Sequence, residues 1–146
     1  MNVLVDTSVW SLALRRGSPA DHLAIADLTE LIGELRVRMI GPIRQELLSG
    51  VKSESQFEKL RSYLSAFPDV PLETADFEKA AKFFNICRRN GIQGSNTDFL
   101  ICSVAHTRDL DIFTSDKDFL DLRRHLPIRL YSARTREWAC PACLPV

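Results

Sequence analysis

Long hydrophobic runs are missing from this chain. Every apolar stretch is broken by charge well short of the ~20 residues that a membrane span needs, so no spanning helix is expected. The opening "MNVLVD" has no basic segment ahead of its apolar run, and the run stops at Asp6. That pattern does not fit a signal peptide, and the cytoplasm is the expected location. Net charge is missing as well, because 19 Lys and Arg balance 19 Asp and Glu. A neutral chain has no global field to draw it onto nucleic acid or a membrane. Any polyanion must then be held by a local basic patch or through recruited metal ions. Cysteine is sparse, with four residues. Cys87 and Cys102 lie in apolar helical patterns and read as small core residues, with no disulfide expected in a reducing compartment. Cys140 and Cys143 form a "CPAC" pair near the end of the chain. One pair cannot close a four-coordinate zinc site, and His106 or His125 would help only if the fold brought them near. A thioredoxin-like role needs the pair at a helix N-terminus after a strand. The pair reads instead as part of a flexible or dimer-packing tail over residues 135–146. Repeats, low-complexity blocks and linkers are also absent.

What is present suits one domain over residues 1–134. The 146 residues are 45% hydrophobic, enough for a real core. "NVLV" reads as a buried strand ending at Asp6. "TSVWSLALRR" follows with helical spacing, Val9, Leu12 and Ala13 sharing a face and Trp10 expected in the core. Ser18-Pro19 reads as a cap and first turn for a helix with Leu23, Ala24, Leu28, Leu31, Ile32 and Leu35 on one stripe. "VRMIGP" is a second strand ended by Gly41-Pro42, and "IRQELLSG" a short helix stopped by Gly50. "SQFEKLRSYLSAF" is amphipathic, with Phe57, Leu60, Tyr63, Leu64 and Phe67 as its apolar positions. "VPLE" is a weak strand candidate. Thr74 is expected to cap a long helix with Asp76 and Glu78 in its first turn and Arg88 and Arg89 in its last, matching the helix dipole. A further helix runs from Ser95 to about Arg108. "DIFTS" is a strand, "DKDFLDLRRHL" a helix and "IRLYS" a last strand. Strands alternating with helices predict a three-layer α/β/α sandwich around a mostly parallel sheet.

Ligands in such folds bind beyond the carboxyl ends of the strands. Asp6 ends the first strand and Asp116 follows "IFT", so both fall on one rim if the two strands are parallel. Asp98 lies in a first turn from which its side chain can point back to that rim. Glu46 is flanked by apolar Ile43, Leu47 and Leu48, which leaves a polar edge beside a packed face. Each acid also has an ordinary explanation. Asp6 can cap the helix from Thr7, Glu46 can be a surface residue, Asp98 can complete a capping box with Ser95, and Asp116 or Ser115 can cap the helix of Phe119. Taken together, four converging acids without basic partners repel one another. A hard divalent cation such as Mg²⁺ or Mn²⁺ resolves that repulsion. Beside a phosphodiester it activates water, neutralises phosphate and stabilises the leaving oxygen.

These stretches are "VLVDTSVW", the Glu of "IRQELLSG", "NTDFLICSVA" and "IFTSDKDF". In that order they resemble the PIN domain, and more narrowly the VapC-type ribonuclease toxins of bacterial toxin–antitoxin pairs. The resemblance covers Met1 to about Tyr131. It implies a Mg²⁺- or Mn²⁺-dependent endoribonuclease with the catalytic acids Asp6, Glu46, Asp98 and Asp116. Of these, Asp6, Asp98 and Asp116 are the implied metal ligands. Thr7, Thr114 and Ser115 map onto hydroxyl positions that hold ligands or water, and Asp118 and Asn96 are accessory. RNA is the implied substrate, a cognate antitoxin and a second copy of the chain are the implied partners, and no membrane is involved. One departure is "GSNTD" ahead of the third acid, where many relatives carry an apolar or Pro-containing lead-in.

Two other classes compete. A non-catalytic PIN-like module would bind RNA or protein without cleaving, yet a scaffold needs no unpaired acids. An acidic-pocket phosphotransfer protein needs a phospho-accepting Asp with a well-placed Lys. Only Lys117 is near, and Asp6-Thr7-Ser8 is not a "DxD". Arg15, Arg16, Arg36, Arg38 and Arg44 are candidates to guide phosphates along the rim, with solvated helix ends as the alternative. Trp138 is a candidate for stacking on a base or packing on a partner.

Overall fold

The computed structural model describes residues 1–15, 22–132 and 134. Within them three short parallel strands carry seven helices, in the order β1 (Val3–Val5), α1 (Thr7–Leu14), α2 (His22–Gly33), β2 (Val37–Arg38), α3 (Gly41–Leu48), α4 (Glu54–Leu64), α5 (Thr74–Arg89), α6 (Asn96–Thr107), β3 (Asp111–Phe113) and α7 (Asp118–Arg123). The sheet order is β2-β1-β3. Val3 pairs with Val37 on one side, and Val5 with Phe113 on the other. All three residues of β1 are fully buried, as expected for a central strand covered on both faces. The α/β sandwich expected from the alternation of elements is what forms.

Two expected strands shrink to single bridges. "VPLE" forms no strand, and the sheet is touched there by a Met39–Asp69 bridge. "IRLYS" contributes only the Ile112–Leu130 bridge. Both segments lie at sheet edges, where backbone groups find water as readily as a partner strand. No helix among the described residues is long and apolar enough to cross a membrane.

Helix boundaries follow local chemistry, with some shifts. Ser95 caps α6, accepting the Asp98 N–H at 3.1 Å. At α5 the cap position is Glu73, not Thr74, and the Glu73 N–H donates to Asp76 Oδ2 at 2.8 Å. Helix α7 begins only at Asp118. Leu23 was expected on the buried stripe of α2 but is 53% exposed, while Leu28 and Leu31 are buried. Leu35 falls past the end of α2 with φ 59° and faces water. Tyr63 is exposed too, resting edge-on against Phe67. Trp10, Cys87 and Cys102 are in the core as expected, and Val9 is buried while Leu12 and Ala13 are half-buried. The Ser18-Pro19 cap, Arg16, Trp138, Cys140 and Cys143 lie outside the described residues.

Candidate active site

Because β1 and β3 are parallel, their carboxyl ends open on the same side of the sheet. The Asp6 N–H donates to the Phe113 carbonyl at 2.8 Å and locks the two ends together. Asp6 stands at the cap position of α1, but its side chain caps nothing. Its Oδ2 instead accepts the hydroxyls of Ser8 at 2.8 Å and Thr114 at 2.9 Å. The residue is only 6% exposed. A buried carboxylate without a cation is costly, so this one needs a reason beyond helix capping.

The other three acids are held in a similar way. Glu46 Oε2 accepts the Thr7 hydroxyl at 2.6 Å, which ties α3 to the start of α1. Asp98 Oδ2 accepts the Ser95 N–H at 3.0 Å and completes the capping box. Asp116 Oδ1 accepts the Asp118 N–H at 2.9 Å, and the Asp116 N–H donates to Thr114 Oγ1 at 3.0 Å. Each carboxylate thus uses one oxygen to fix its orientation. The other oxygen of each makes no hydrogen bond among the described residues, and none of the four acids has an ion pair there.

Asp98 shows that three of these acids share one electrostatic environment. Burial pushes its carboxyl above the usual aspartate range, and the charges of Asp6 and Asp116 push it further, against hydrogen bonds from Ser95 that lower it. Asp98 therefore caps its helix while feeling the charges of Asp6 and Asp116. The chain reaches this turn through Gly94, where a Cβ would come within 3.1 Å of the Phe99 ring. Cys102 lies behind the site and is fully buried. Burial, reinforced by the nearby Asp98 and Asp6, drives its thiol far above its usual range, which keeps it protonated and inert.

The fit to a hard cation rests on donor chemistry. Four carboxylates, each with one uncommitted oxygen and no neutralising cation, are the ligands Mg²⁺ or Mn²⁺ prefers. Among the described residues no three His, Cys, Asp or Glu side chains are drawn together tightly enough to form a ready-made cage.

The remaining candidates divide. Thr7 and Thr114 bind acids directly, and Ser115 contributes its N–H to Ser8 Oγ at 3.1 Å. Asp118 supplies a backbone N–H, and its side chain is exposed. Asn96 is exposed at the first position of α6. The arginines expected on the rim are mostly committed elsewhere. Arg44 binds Asp69 and the Leu64 and Phe67 carbonyls, Arg36 binds Glu34 and the Met1 carbonyl, and Arg38 binds the Leu35 and Val37 carbonyls. Arg15 donates to the Ser11 carbonyl. Ser8 escaped the sequence reading. Its only signal is a second hydroxyl directly after Asp6-Thr7, and two of its three partners, Thr114 and Ser115, are more than a hundred residues away.

Beside the acids, a groove of about 380 Å³ runs between α5 and the start of α6, walled by Phe77, Ala81, Phe84 and Leu100. It shares Pro42 and Thr97 with a neighbouring cavity that Glu46 lines.

The family model of the PIN domain matches residues 3–125. The chain is 30% identical over 121 residues to "VapC ribonuclease Mb1587" of Mycobacterium bovis, covering 80% of this chain and 88% of that protein. "Ribonuclease VapC11" of Mycobacterium tuberculosis matches to the same extent. Among solved structures, FitAcB from Neisseria gonorrhoeae superposes with a TM-score of 0.71 at 20% identity, over 89% of this chain and 96% of that one. VapBC2 from Rickettsia felis, bound to a DNA fragment from its promoter, gives 0.70 at 16% identity, over 90% and 98%. At such identities these two likenesses speak for the fold.

Proposed function

The chain belongs to the PIN domain family, and from that premise we propose that it is a Mg²⁺- or Mn²⁺-dependent endoribonuclease, the toxin of a toxin–antitoxin pair. The observation that carries the reading is the set of four acids, each oriented through one oxygen and left open at the other, with no Lys or Arg paired to them among the described residues. Asp6, Asp98 and Asp116 are the residues that would hold the cation. When bound, it activates water toward a phosphodiester and neutralises the charge of the phosphate.

The chain's own residues do the rest. Ser8 and Thr114 hold Asp6 in one orientation, and Ser95 holds Asp98. Thr7 fixes Glu46, whose free Oε1 is available to accept a proton. Asn96 stands exposed at the mouth of the groove, where it can hydrogen-bond a passing nucleotide. A chain of zero net charge has no global field for RNA, and a cation would offset the acidic rim. The relatives named as ribonucleases support the activity, and the toxin–antitoxin complexes among the structural neighbours support a protein partner. The apolar face of α5 supports a homodimer.

The test is RNA cleavage with and without Mn²⁺, comparing wild type with Asp98→Asn. Wild type is expected to cut only with the metal. The variant is expected to keep its circular dichroism spectrum and lose cleavage. Full activity in Asp98→Asn, or cleavage by wild type in EDTA, would overturn the reading.

A further inference from the structure

Ser8 carries no charge and touches no groove, yet it sits where the hydrogen bonds of both strand ends meet. Its Oγ lies 2.8 Å from Asp6 Oδ2, 3.1 Å from the Ser115 nitrogen and 3.3 Å from Thr114 Oγ1. Thr114 Oγ1 is in turn 2.9 Å from the same Asp6 oxygen and 3.0 Å from the Asp116 nitrogen. Counting protons orders this cluster. A hydroxyl has one proton to give and two lone pairs to receive with, while an ionised carboxylate only receives. The amides of Ser115 and Asp116 can only donate. The Ser8 and Thr114 protons therefore both go to Asp6 Oδ2, and the 3.3 Å contact between the two hydroxyls carries no proton.

The result is two parallel relays, amide to hydroxyl to carboxylate, all polarised toward Asp6. Bonds aligned in this way strengthen one another. One consequence is that Oδ2 of Asp6 is saturated, leaving Oδ1 as its outward donor. Another is that the turn carrying Asp116 hangs from the same two hydroxyls that orient Asp6. Asp6 and Asp116 are thus placed relative to each other by side chains rather than by the sheet alone.

We propose that Ser8 is a positioning residue of this site: its hydroxyl couples the orientation of Asp6 to the placement of the Ser115–Asp116 turn, and so sets the separation of the first and fourth acids. This rests on the metal-dependent nuclease reading and deepens it. Thr114 shares the load, but among the described residues Ser8 is the one member of α1 bonded to the turn, so removing its hydroxyl unhooks the turn from that helix.

The experiment uses Ser8→Ala together with the pair Ser8→Thr and Ser8→Val, which share a shape and differ in the hydroxyl. Amide exchange in the metal-free protein is the first readout. Ser8→Ala and Ser8→Val should speed exchange at Ser115 about tenfold, and leave the Asp6 amide, bonded to Phe113, unchanged. The second readout is Mn²⁺ binding by calorimetry, where the half-saturation concentration should rise about tenfold or more, the usual effect of losing a residue that orients a ligand. In RNA cleavage kcat should fall to a similar degree, with KM for RNA unchanged. Ser8→Thr should recover all three. If Ser8→Ala loosens the whole fold, the Thr and Val pair decides. Wild-type Mn²⁺ binding and kcat in Ser8→Val, or unaltered exchange at Ser115, would overturn the role of Ser8 alone. A wild-type protein that neither binds Mn²⁺ nor cuts RNA would overturn the nuclease reading and this inference with it.

Discussion

Asp6 is a residue kept against the interest of stability. It is buried, unpaired with any cation among the described residues, and close enough to Asp98 for the two charges to repel. Replacing it by Asn keeps an acceptor oxygen for Ser8 and Thr114 and removes the charge. In EDTA, Asp6→Asn should be about 1 kcal/mol more stable than wild type, the usual trade between stability and a functional charge. Urea denaturation measures it, and a destabilised Asp6→Asn would mean that the charge is compensated by something else. At this scale the four acids could be singled out in the sequence only as a set: two follow strands, one opens a helix, one borders a packed face, and each alone has an ordinary explanation. Ser8 was not legible, because its meaning comes from Thr114 and Ser115, which only the folded sheet brings near. The arginines misled for the same reason. Arg44 looks like a free surface cation until the fold turns it onto Asp69 and two carbonyls.

Helices α5 and α6 form the frame that holds Asp98, and one ion pair pins them together. Asp76, in the first turn of α5, is 3% exposed and takes both Arg108 nitrogens, at 2.8 and 2.9 Å. The buried Ser103 hydroxyl donates to the Asp76 carbonyl at 2.7 Å in the same contact. The sequence placed Asp76 correctly but saw only an acid suited to the helix dipole, since Arg108 lies 32 positions away. Removing one partner of such a pair leaves the other without its counter-charge, so Asp76→Ala should cost about 3 kcal/mol. The pair also fixes a pH dependence. The Arg108 guanidinium holds the Asp76 carboxyl below its usual value, opposed by burial. A depressed folded pKa means that the stabilisation is complete above the unfolded value of about 3.9 and is lost as pH falls through the lower folded value. Acid unfolding of wild type should show this loss, and Asp76→Asn should lack that part of it. An identical acid limb in the variant would remove the pair from the account.

At the scale of the whole molecule, the described residues leave one helix face partly exposed. Along α5, Phe77, Ala80, Ala81 and Phe84 run symmetrically about the Ala80–Ala81 peptide. Phe77 is 53% exposed, and the groove of about 380 Å³ lies against it. A two-fold interface demands such self-complementarity, because the same patch must serve both partners. Crossing two α5 helices antiparallel would bring the exposed Ala81 near the point of closest approach, with the exposed Phe77 beside it. The amphipathic spacing of α5 was readable in the sequence. Which part of it stays open was not readable, because α6 packs edge-on through Phe99 against Phe84 at 5.3 Å and Ala80 is buried, which leaves Phe77 as the exposed aromatic of the stripe. For the proposed dimer, Phe77→Ala should leave the protomer's circular dichroism unchanged and weaken dimerisation by about 2 kcal/mol, the cost of losing a central aromatic anchor, or about thirtyfold in Kd. Analytical ultracentrifugation across a dilution series measures it. Because Pro42 and Thr97 line both this groove and the cavity of Glu46, RNA cleavage by Phe77→Ala should also fall off at higher enzyme concentration than in wild type. An unaltered dimer in Phe77→Ala would move the two-fold axis away from α5.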